Sequence, residues 1–363
     1  LTFNTKTFNS QLSNTLFSIG VSHKSSSIDI REKFSFSSYE LNKALDYLSK
    51  QIGPLVILST CNRTELYFSS EQNSREALKA LSEFKKLDLS FISEHSYSFD
   101  SINCVRHLFK VAAGLESMIL GEGQILNQVK TAYTQSQNHT NGTLNQLFQR
   151  SLAAGKKVRS KTEISRGAMS VPAASLQVIQ ESLNPKELSE QKIMILGSGE
   201  VSQLCLEHLH SQGASEHITL VSRSPETHSL QLTKYQSVQN ISYASLQTHI
   251  CEQDVILVCT SAPHFVIDMA ELEAIKKPMI ICDMCLPRNV NPAVANLPLI
   301  KLIDLDYLQK TVSANASKRS GQINQAEEII EEEIEKFLDW MQKTQTFQKQ
   351  KNQENAQSIL TRI

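Results

Sequence analysis

The stretch that most restricts the fold of this 363-residue chain is Lys192-Ile-Met-Ile-Leu-Gly197, which runs into Gly197-Ser-Gly199-Glu-Val-Ser202 and on to Leu204, Leu206 and Leu209. An unbroken apolar run reads as a strand buried on both faces, and such strands belong to parallel sheets covered by helices. Two glycines at its end, followed by helical spacing, form the strand, tight turn and helix on which a pyrophosphate rests against free backbone N–H groups. Ser202 stands where a third glycine is expected, and a bare Gly-x-Gly is weak evidence, so the flanking strand and helix carry the weight. His217 to Val221, Val255 to Cys259 and Met279 to Cys282 supply further buried strands, with Thr260 to His264 a loop at a strand's carboxyl end. After Val221 comes Ser222-Arg223-Ser224, with no acidic side chain for a ribose 2'-hydroxyl. Arg223 suits a 2'-phosphate instead. The pattern predicts a Rossmann-type domain that takes NADPH in preference to NADH through Gly197, Ser198, Gly199, Glu200, Val201, Ser202 and Arg223.

A chain of this length exceeds one ordinary core, so two or three domains are expected. Hydrophobic residues at 40% and charged ones at 20% suit a soluble globular protein, and a net charge of -1 gives no global field for nucleic acid. Any such contact must come from a local patch. No apolar stretch nears the roughly 20 residues that span a bilayer. The polar opening, Leu1 to Asn14, lacks the apolar centre of a signal peptide and reads as a flexible tail of a cytoplasmic protein. Seven cysteines without paired spacing suit reduced thiols. Cys282-Asp-Met-Cys285 is a C-x-x-C, but it follows an apolar strand without a second pair or nearby His, and no metal is assigned.

Before residue 100 the texture is mixed. Phe17, Ile19 and Val21 alternate as a half-buried strand, and Ser37-Ser-Tyr-Glu40 has capping-box spacing ahead of Leu41, Ala44, Leu45 and Leu48. Pro54 to Leu58 and Thr64 to Phe68 read as neighbouring strands, and a helix is expected near Ser74 to Lys86. Cys61, Asn62 and Arg63 then occupy a tight connection whose backbone N–H groups the ladder leaves unpaired, a place that can receive an oxyanion. A neighbouring guanidinium favours thiolate, the form that attacks a carbonyl carbon. Taken alone, a cysteine beside a strand is more often a small buried hydrophobe than a nucleophile. Asn62 and Arg63 speak against that, since neither belongs in an apolar pocket without partners.

From Ser101 the pattern turns helical. Ile102, Val105, Leu108, Phe109 and Ala112 form a stripe with His107 off its centre. Gly114 to Gly123 is a loop, followed by a helix on which Gln124 and Gln128 share a face. Glu122, Gln124 and Gln128 suit a small zwitterion, or the glutamines are a solvated face. Asn145 to Arg166 holds Arg150, Lys156, Lys157, Arg159, Lys161 and Arg166 against Glu163, and reads either as a track for a phosphate backbone or as a long solvated helix. Ile323, Ala326, Ile329, Ile330, Ile334, Phe337, Leu338 and Met341 keep helical spacing amid glutamates, an apolar face that needs a partner from this chain or another subunit.

These pieces resemble the glutamyl-tRNA reductase family. The resemblance rests on Ser59-Thr-Cys-Asn-Arg-Thr-Glu-Leu-Tyr67, His107 with Gly114-Leu-Glu-Ser-Met-Ile-Leu-Gly-Glu-Gly-Gln-Ile-Leu126, Gly197-Ser-Gly-Glu, and Asp283-Met-Cys-Leu-Pro-Arg-Asn-Val-Asn-Pro292, in the family's order from about Phe17 to Gln342. It implies an α/β chain with an N-terminal α/β catalytic domain and linking helix at 15–165, a Rossmann-type NADP-binding domain at 166–310 and a short C-terminal helical dimerisation region at 311–363. It also implies NADPH-dependent reduction of glutamyl-tRNA to glutamate-1-semialdehyde, the first step of tetrapyrrole synthesis from glutamate, through a thioester on Cys61. Thr60, Cys61, Asn62 and Arg63 would hold substrate on one side and Ser117, Glu122, Gly123, Gln124 and Gln128 on the other, with His107 important for activity. A homodimer and a transient complex with glutamate-1-semialdehyde aminomutase are implied as well. The sequence departs from the family at Gly123, where proline is usual, and at Ser202. Two rival readings are a thioester-forming reductase of a free small substrate and a tRNA-binding regulator that senses NADPH without turnover.

Overall fold

Strand β1 (Leu16–Ser22) is buried along its whole length, because it lies inside an antiparallel sheet with helices on both faces. The computed structural model describes residues 16–70, 73–165, 169–214, 216–225, 235, 237–313 and 320–360, so the predicted tail 1–14 and Arg166 lie outside the described residues. After β1 come α1 (Ile28–Phe34), α2 (Ser38–Ile52), β2 (Leu55–Ser59), β3 (Arg63–Ser69), α3 (Ser74–Lys85), α4 (Leu89–His95) and β4 (Tyr97–Asp100). The capping box forms as its spacing predicts: Glu40 N–H donates to Ser37 Oγ at 3.3 Å and Ser37 N–H to Glu40 Oε2 at 3.1 Å. The sheet order is β2-β3-β1-β4. Its side-chain alternation splits the domain in two. Ile19, Leu66 and Phe68 pack with Leu45, Leu48 and Leu81, whereas Leu16, Val56, Leu58 and Tyr67 pack with Val105, Leu108 and Phe148 on the opposite face.

That second layer is α5 (Ser101–Ala112), α6 (Gln124–Gln135) and α7 (Gly142–Lys161). Helix α7 starts earlier than its charge pattern suggests, because Asn141 Oδ1 accepts Leu144 N–H at 2.9 Å and fixes the N-terminus. It stops at Lys161, ahead of the loop that leads to α8 (Val171–Leu183).

The third part is β5 (Ile193–Leu196), α9 (Glu200–Ser211), β6 (Ile218–Ser222), β7 (Gln239–Ser242), the single turn α10 (Leu246–His249), β8 (Val255–Val258), β9 (Met279–Asp283), β10 (Ile300–Ile303) and α11 (Leu305–Ser313). Its strands are all parallel in the order β10-β9-β8-β5-β6-β7. This is the doubly wound Rossmann order, with the switch point between β5 and β8. The predicted α/β class, with its N-terminal α/β domain and Rossmann-type domain, is therefore found.

Helix α12 (Ser320–Leu360) answers the question its apolar stripe posed. Ala326, Ile330, Ile334 and Phe337 are buried among Val105, Leu108, Leu147 and Phe148 of the same chain. The covering partner of that stretch is α5 and α7. Its acidic residues also take up cations of the layer beneath: Arg106 pairs with Glu331 at 2.8 Å, Lys110 with Glu327 at 2.6 Å, and Lys157 with Glu332 at 2.6 Å and Glu333 at 3.2 Å. Of the cations read either as a phosphate track or as a solvated face, Lys157 is thus paired within the chain.

Candidate functional site

Arg63, Glu65 and Tyr67 are alternate residues of β3 and share one face. There Glu65, fully buried, collects four donors: Arg63 Nη1 at 2.8 Å, His107 Nε2 at 2.9 Å, Tyr67 Oη at 2.6 Å and Tyr97 Oη at 2.5 Å. Burial alone would raise its carboxyl, but Arg63 and then His107 hold it well below the usual range. Gly20 on β1 lies opposite Glu65, and a Cβ there would collide with Thr64 O and stand 2.8 Å from the Glu65 side chain. Only glycine leaves room for that carboxylate. The second Arg63 arm donates to Glu116 O in the loop after α5. His107 is thus fixed against Glu65 and reaches Arg63 through it.

The turn between β2 and β3 presents Cys61, which is half-buried. Thr60 N–H donates to Arg63 O at 2.8 Å, and Thr60 Oγ1 accepts the N–H groups of Asn62 and Arg63 at 3.2 Å each. This corrects the expectation of unpaired turn amides, because the Thr60 hydroxyl takes two of them. What the turn leaves unpaired is side-chain polarity. Asn62 Oδ1, Arg63 Nε, Ser117 Oγ, His23 Nδ1, and Nε and Nη1 of Arg31 are all buried without a hydrogen-bond partner. Such a concentration of unmet groups fits a polar ligand.

Electrostatics at Cys61 also differ from expectation. Burial pushes the thiol up to about 12 and Glu122 adds to the rise, while Arg31 and, more weakly, Arg63 oppose it. Arg63 does little for the thiolate because its charge is committed to Glu65. Glu122 is itself raised to about 7 by burial, against the Val171 N–H and Arg63. His23 falls to about 3 through burial and the charges of Arg63, Arg31 and Lys24, so it is neutral. Gln124 opens α6 and Gln128 follows one turn later, both half-buried. Gly123 precedes them, and a Cβ there would come 3.1 Å from the Arg159 guanidinium, which donates to Gly123 O at 3.3 Å. The proline usual at this position is thus replaced by a residue that lets Arg159 close over the loop.

The nucleotide turn fits a dinucleotide. Gly197 has φ +111° and a Cβ there would lie 2.5 Å from Cys259 O, so the turn demands glycine. A Cβ on Gly199 would meet nothing, and α9 begins there without a side-chain cap. Open space over free helix amides is what a pyrophosphate requires. Ser198 and Val201 are half-buried and Glu200 is exposed, while Ser202 is buried with an unpartnered hydroxyl. Arg223 is exposed just past β6.

The two regions meet. Cys61 packs on the apolar cluster that contains Cys259, Cys282 and Met284 from the carboxyl ends of β8 and β9, together with Ile28, Met118 and Ile119 of the first domain. Cys282 serves that packing, whereas Cys285 packs in a separate cluster with Val258 and Ile281 and donates from Sγ to Val258 O at 3.3 Å. Among the described residues no group of three or more His, Cys, Asp or Glu is arranged to hold a metal, and no helix is long and apolar enough to cross a membrane. Sequence reasoning did not assign a site role to His23, Arg31, Glu65 or Tyr97. The charged residues alternating on β3 were the available signal for Glu65. Nothing comparable marks Arg31 or His23, which reach the site only through tertiary structure.

Comparison with known proteins covers both parts. The family model for the N-terminal domain of glutamyl-tRNAGlu reductase matches residues 19–162, and that for shikimate / quinate 5-dehydrogenase matches residues 177–311. The glutamyl-tRNA reductase of Carboxydothermus hydrogenoformans is 35% identical over 333 residues, 89% of this chain and 73% of the relative. That of Heliobacterium mobile is 36% identical over 338 residues, 90% and 75% of the two chains, and that of a Picosynechococcus species 35% identical over 338 residues, 90% and 79%. Among solved structures, the glutamyl-tRNA reductase of Methanopyrus kandleri matches with a TM-score of 0.50 and 27% identity, covering 91% of this chain and 81% of that one.

Proposed function

The chain belongs to the glutamyl-tRNA reductase family, NADP-dependent oxidoreductases that reduce glutamyl-tRNA on the way to tetrapyrroles, and we propose that its own reaction runs through a thioester on Cys61. One observation carries this reading: Cys61 stands between unpaired buried polar groups on one side and the carboxyl ends of the nucleotide-domain strands on the other. It faces both partners.

The thiol loses its proton and Sγ attacks the ester carbonyl carbon of glutamyl-tRNA. As the tetrahedral adduct collapses, the bond to the terminal ribose oxygen breaks and tRNA leaves with a proton on that hydroxyl. Gly197 to Ser202 would hold NADPH, with Arg223 for its 2'-phosphate, and the bound cofactor would supply the hydride that reduces the thioester carbon. The C–S bond then breaks, which releases glutamate-1-semialdehyde and returns the Cys61 sulfur.

Around that sulfur each wall has a role. Arg63, held by Glu65 and, through it, by His107, offers Nε toward the substrate side chain. Asn62, Ser117, Gln124 and Gln128 supply neutral hydrogen bonds, and Glu122 takes the α-ammonium. That last contact assists the chemistry, because an ammonium beside Glu122 cancels the negative charge that holds the thiol up. Substrate binding thereby favours the thiolate.

Finer proposals go with this one. The protein works in the cytoplasm, as its free thiols suit, and acts as a homodimer. A transient complex with glutamate-1-semialdehyde aminomutase would spare a reactive amino aldehyde from solvent. The deciding test is a single turnover of glutamyl-tRNA carrying labelled glutamate, with native protein and Cys61→Ser. Label should remain on native protein without NADPH and leave as semialdehyde with it, and Cys61→Ser should do neither. Label that never attaches to native protein, while tRNA binds, refutes the thioester.

A further inference from the structure

Helix α1 brings Arg31 to the site, and its remaining charged residues carry a seam to the nucleotide domain. Arg288, on the loop after β9, donates from Nε to Glu32 Oε2 at 3.0 Å and from Nη2 to Glu32 Oε1 at 2.6 Å and Asp29 Oδ1 at 2.5 Å. Its side chain is 11% exposed, that of Glu32 22% and that of Asp29 69%. In the other direction, Asp306 of α11 accepts Arg31 Nη2 at 2.8 Å and the N–H of Ile28 at 2.9 Å. Ser27, the residue that precedes α1, makes no side-chain cap, so the other domain's carboxylate caps this helix. Gln309 Nε2 also donates to His23 O at 3.2 Å.

The loop that holds Arg288 is stiff and close to the cofactor turn. Asp283 Oδ1 accepts Cys285 N–H at 3.0 Å, and Oδ2 accepts Asn289 N–H at 2.8 Å and Val290 N–H at 2.9 Å. Asn289 in turn donates to Ala262 O and His264 O, in the loop at the end of β8. Wherever Arg288 is pinned, the carboxyl ends of β8 and β9 beside the Gly197 turn are pinned too.

This arrangement suits only half of the reaction. Hydride transfer requires the nucleotide domain this close to Cys61, whereas acyl transfer gains from a seam that opens to admit tRNA. A seam of few, partly exposed ion pairs is weak enough to do so, and such polar interfaces between domains permit relative motion.

We propose that this seam is the latch of the closed state: Arg288, Glu32 and Asp29, with Asp306 where it caps α1, are positioning residues for hydride transfer and take no part in acyl transfer to Cys61. The inference rests on the thioester reading above. Two measurements keep the two apart.

The first uses Arg288→Glu, Glu32→Arg and the double exchange in the full-length chain, with the half-reactions followed separately. Capture of labelled glutamate without NADPH should stay within about twofold of native in all three, whereas aldehyde formation from preloaded thioester should fall about tenfold or more in each single variant. The double exchange should recover most of that loss, as coupled partners do. Hydride transfer should also slow with added salt in native protein and not in Arg288→Ala. The proposal is overturned if aldehyde formation is unchanged in the single variants, or if both half-reactions fall together without rescue. The second measurement needs no substrate. Hydrogen exchange at Ile28–Phe34 and at 285–290 should quicken in Arg288→Glu and slow again in the double exchange. Unaltered protection overturns the latch, whereas absence of label capture by native protein, with this protection pattern intact, defeats only the thioester reading.

Discussion

At the scale of single residues, a buried ion cluster and a reluctant thiol share the site. Glu65 is the anchor: its carboxylate satisfies Arg63, His107, Tyr67 and Tyr97 at once. Glu65→Ala strands Arg63 in the interior, an uncompensated buried charge that costs about 3–5 kcal/mol, measurable by urea unfolding at pH 7. Because the folded-state pKa of Glu65 is depressed, its contribution is present above the unfolded value of about 4.3 and fades as pH falls below it. The gap between native and variant stability should accordingly narrow in acid. At Cys61 the sign is reversed, since burial and then Glu122 keep the thiol protonated. Glu122→Gln removes one of those causes. Alkylation of Cys61 by iodoacetamide at pH 8 should speed up by roughly three- to tenfold, each pKa unit being worth a factor of ten in thiolate. An unchanged rate would detach Glu122 from the thiol's chemistry and with it the substrate-assisted step.

At the scale of elements, α7 separates free cations from committed ones. Lys156 and Lys161 are exposed, while Lys157 is bound to Glu332 and Glu333, and Arg159 leans on Gly123. Replacing Lys156 and Lys161 with Ala should reduce the salt slope of tRNA binding by about one for each phosphate that is no longer neutralised, whereas Lys157→Ala should leave the slope as it is. An equal effect of all three would mean that tRNA displaces the glutamates. This distinction was not legible in the sequence, where six positive charges look alike. What was legible is local: the alternation at Phe17 to Val21, the apolar strands on either side of Cys61, the Ser37 to Glu40 cap, the glycine turn at Gly197 and the stripe of α12. The reductase motifs fixed the positions of Cys61, Arg63 and Glu122. Helix α1 escaped notice because seven residues, Ile28–Phe34, are too few for a periodic pattern, and its N-terminal cap comes from another domain. Strand β4 is short and half-exposed on a sheet edge. The pairing of Asp306 with Arg31 spans 275 positions in the chain, and no local rule reaches that far.

At the scale of the molecule, the nucleotide domain lies between two fixed attachments to the first domain. Before it, the chain leaves α7, packed in the first core, and after it α12 returns to that same core through Ile330, Ile334 and Phe337. A domain tied at both ends to one body opens by hinging in place, which lets the α1 seam break while the core beneath α12 stays intact. The dimer proposed above would be built where neither motion nor catalysis interferes. Helix α12 offers such a place: 41 residues extend about 60 Å, Met341 is the last buried apolar residue among the described ones, and Phe347 lies 66% exposed beyond it. We propose that this aromatic ring, left to water on a helix that otherwise buries its apolar face, is covered by a second copy. Native protein should sediment near twice 40.7 kDa, and Phe347→Glu should raise the dimer dissociation constant by about tenfold or more. Label capture at Cys61 should be the same in both, because every group of that turn comes from one chain. A native protein that sediments as a monomer removes the dimer and leaves the chemistry standing, whereas a Phe347→Glu variant that stays dimeric moves the interface to another face.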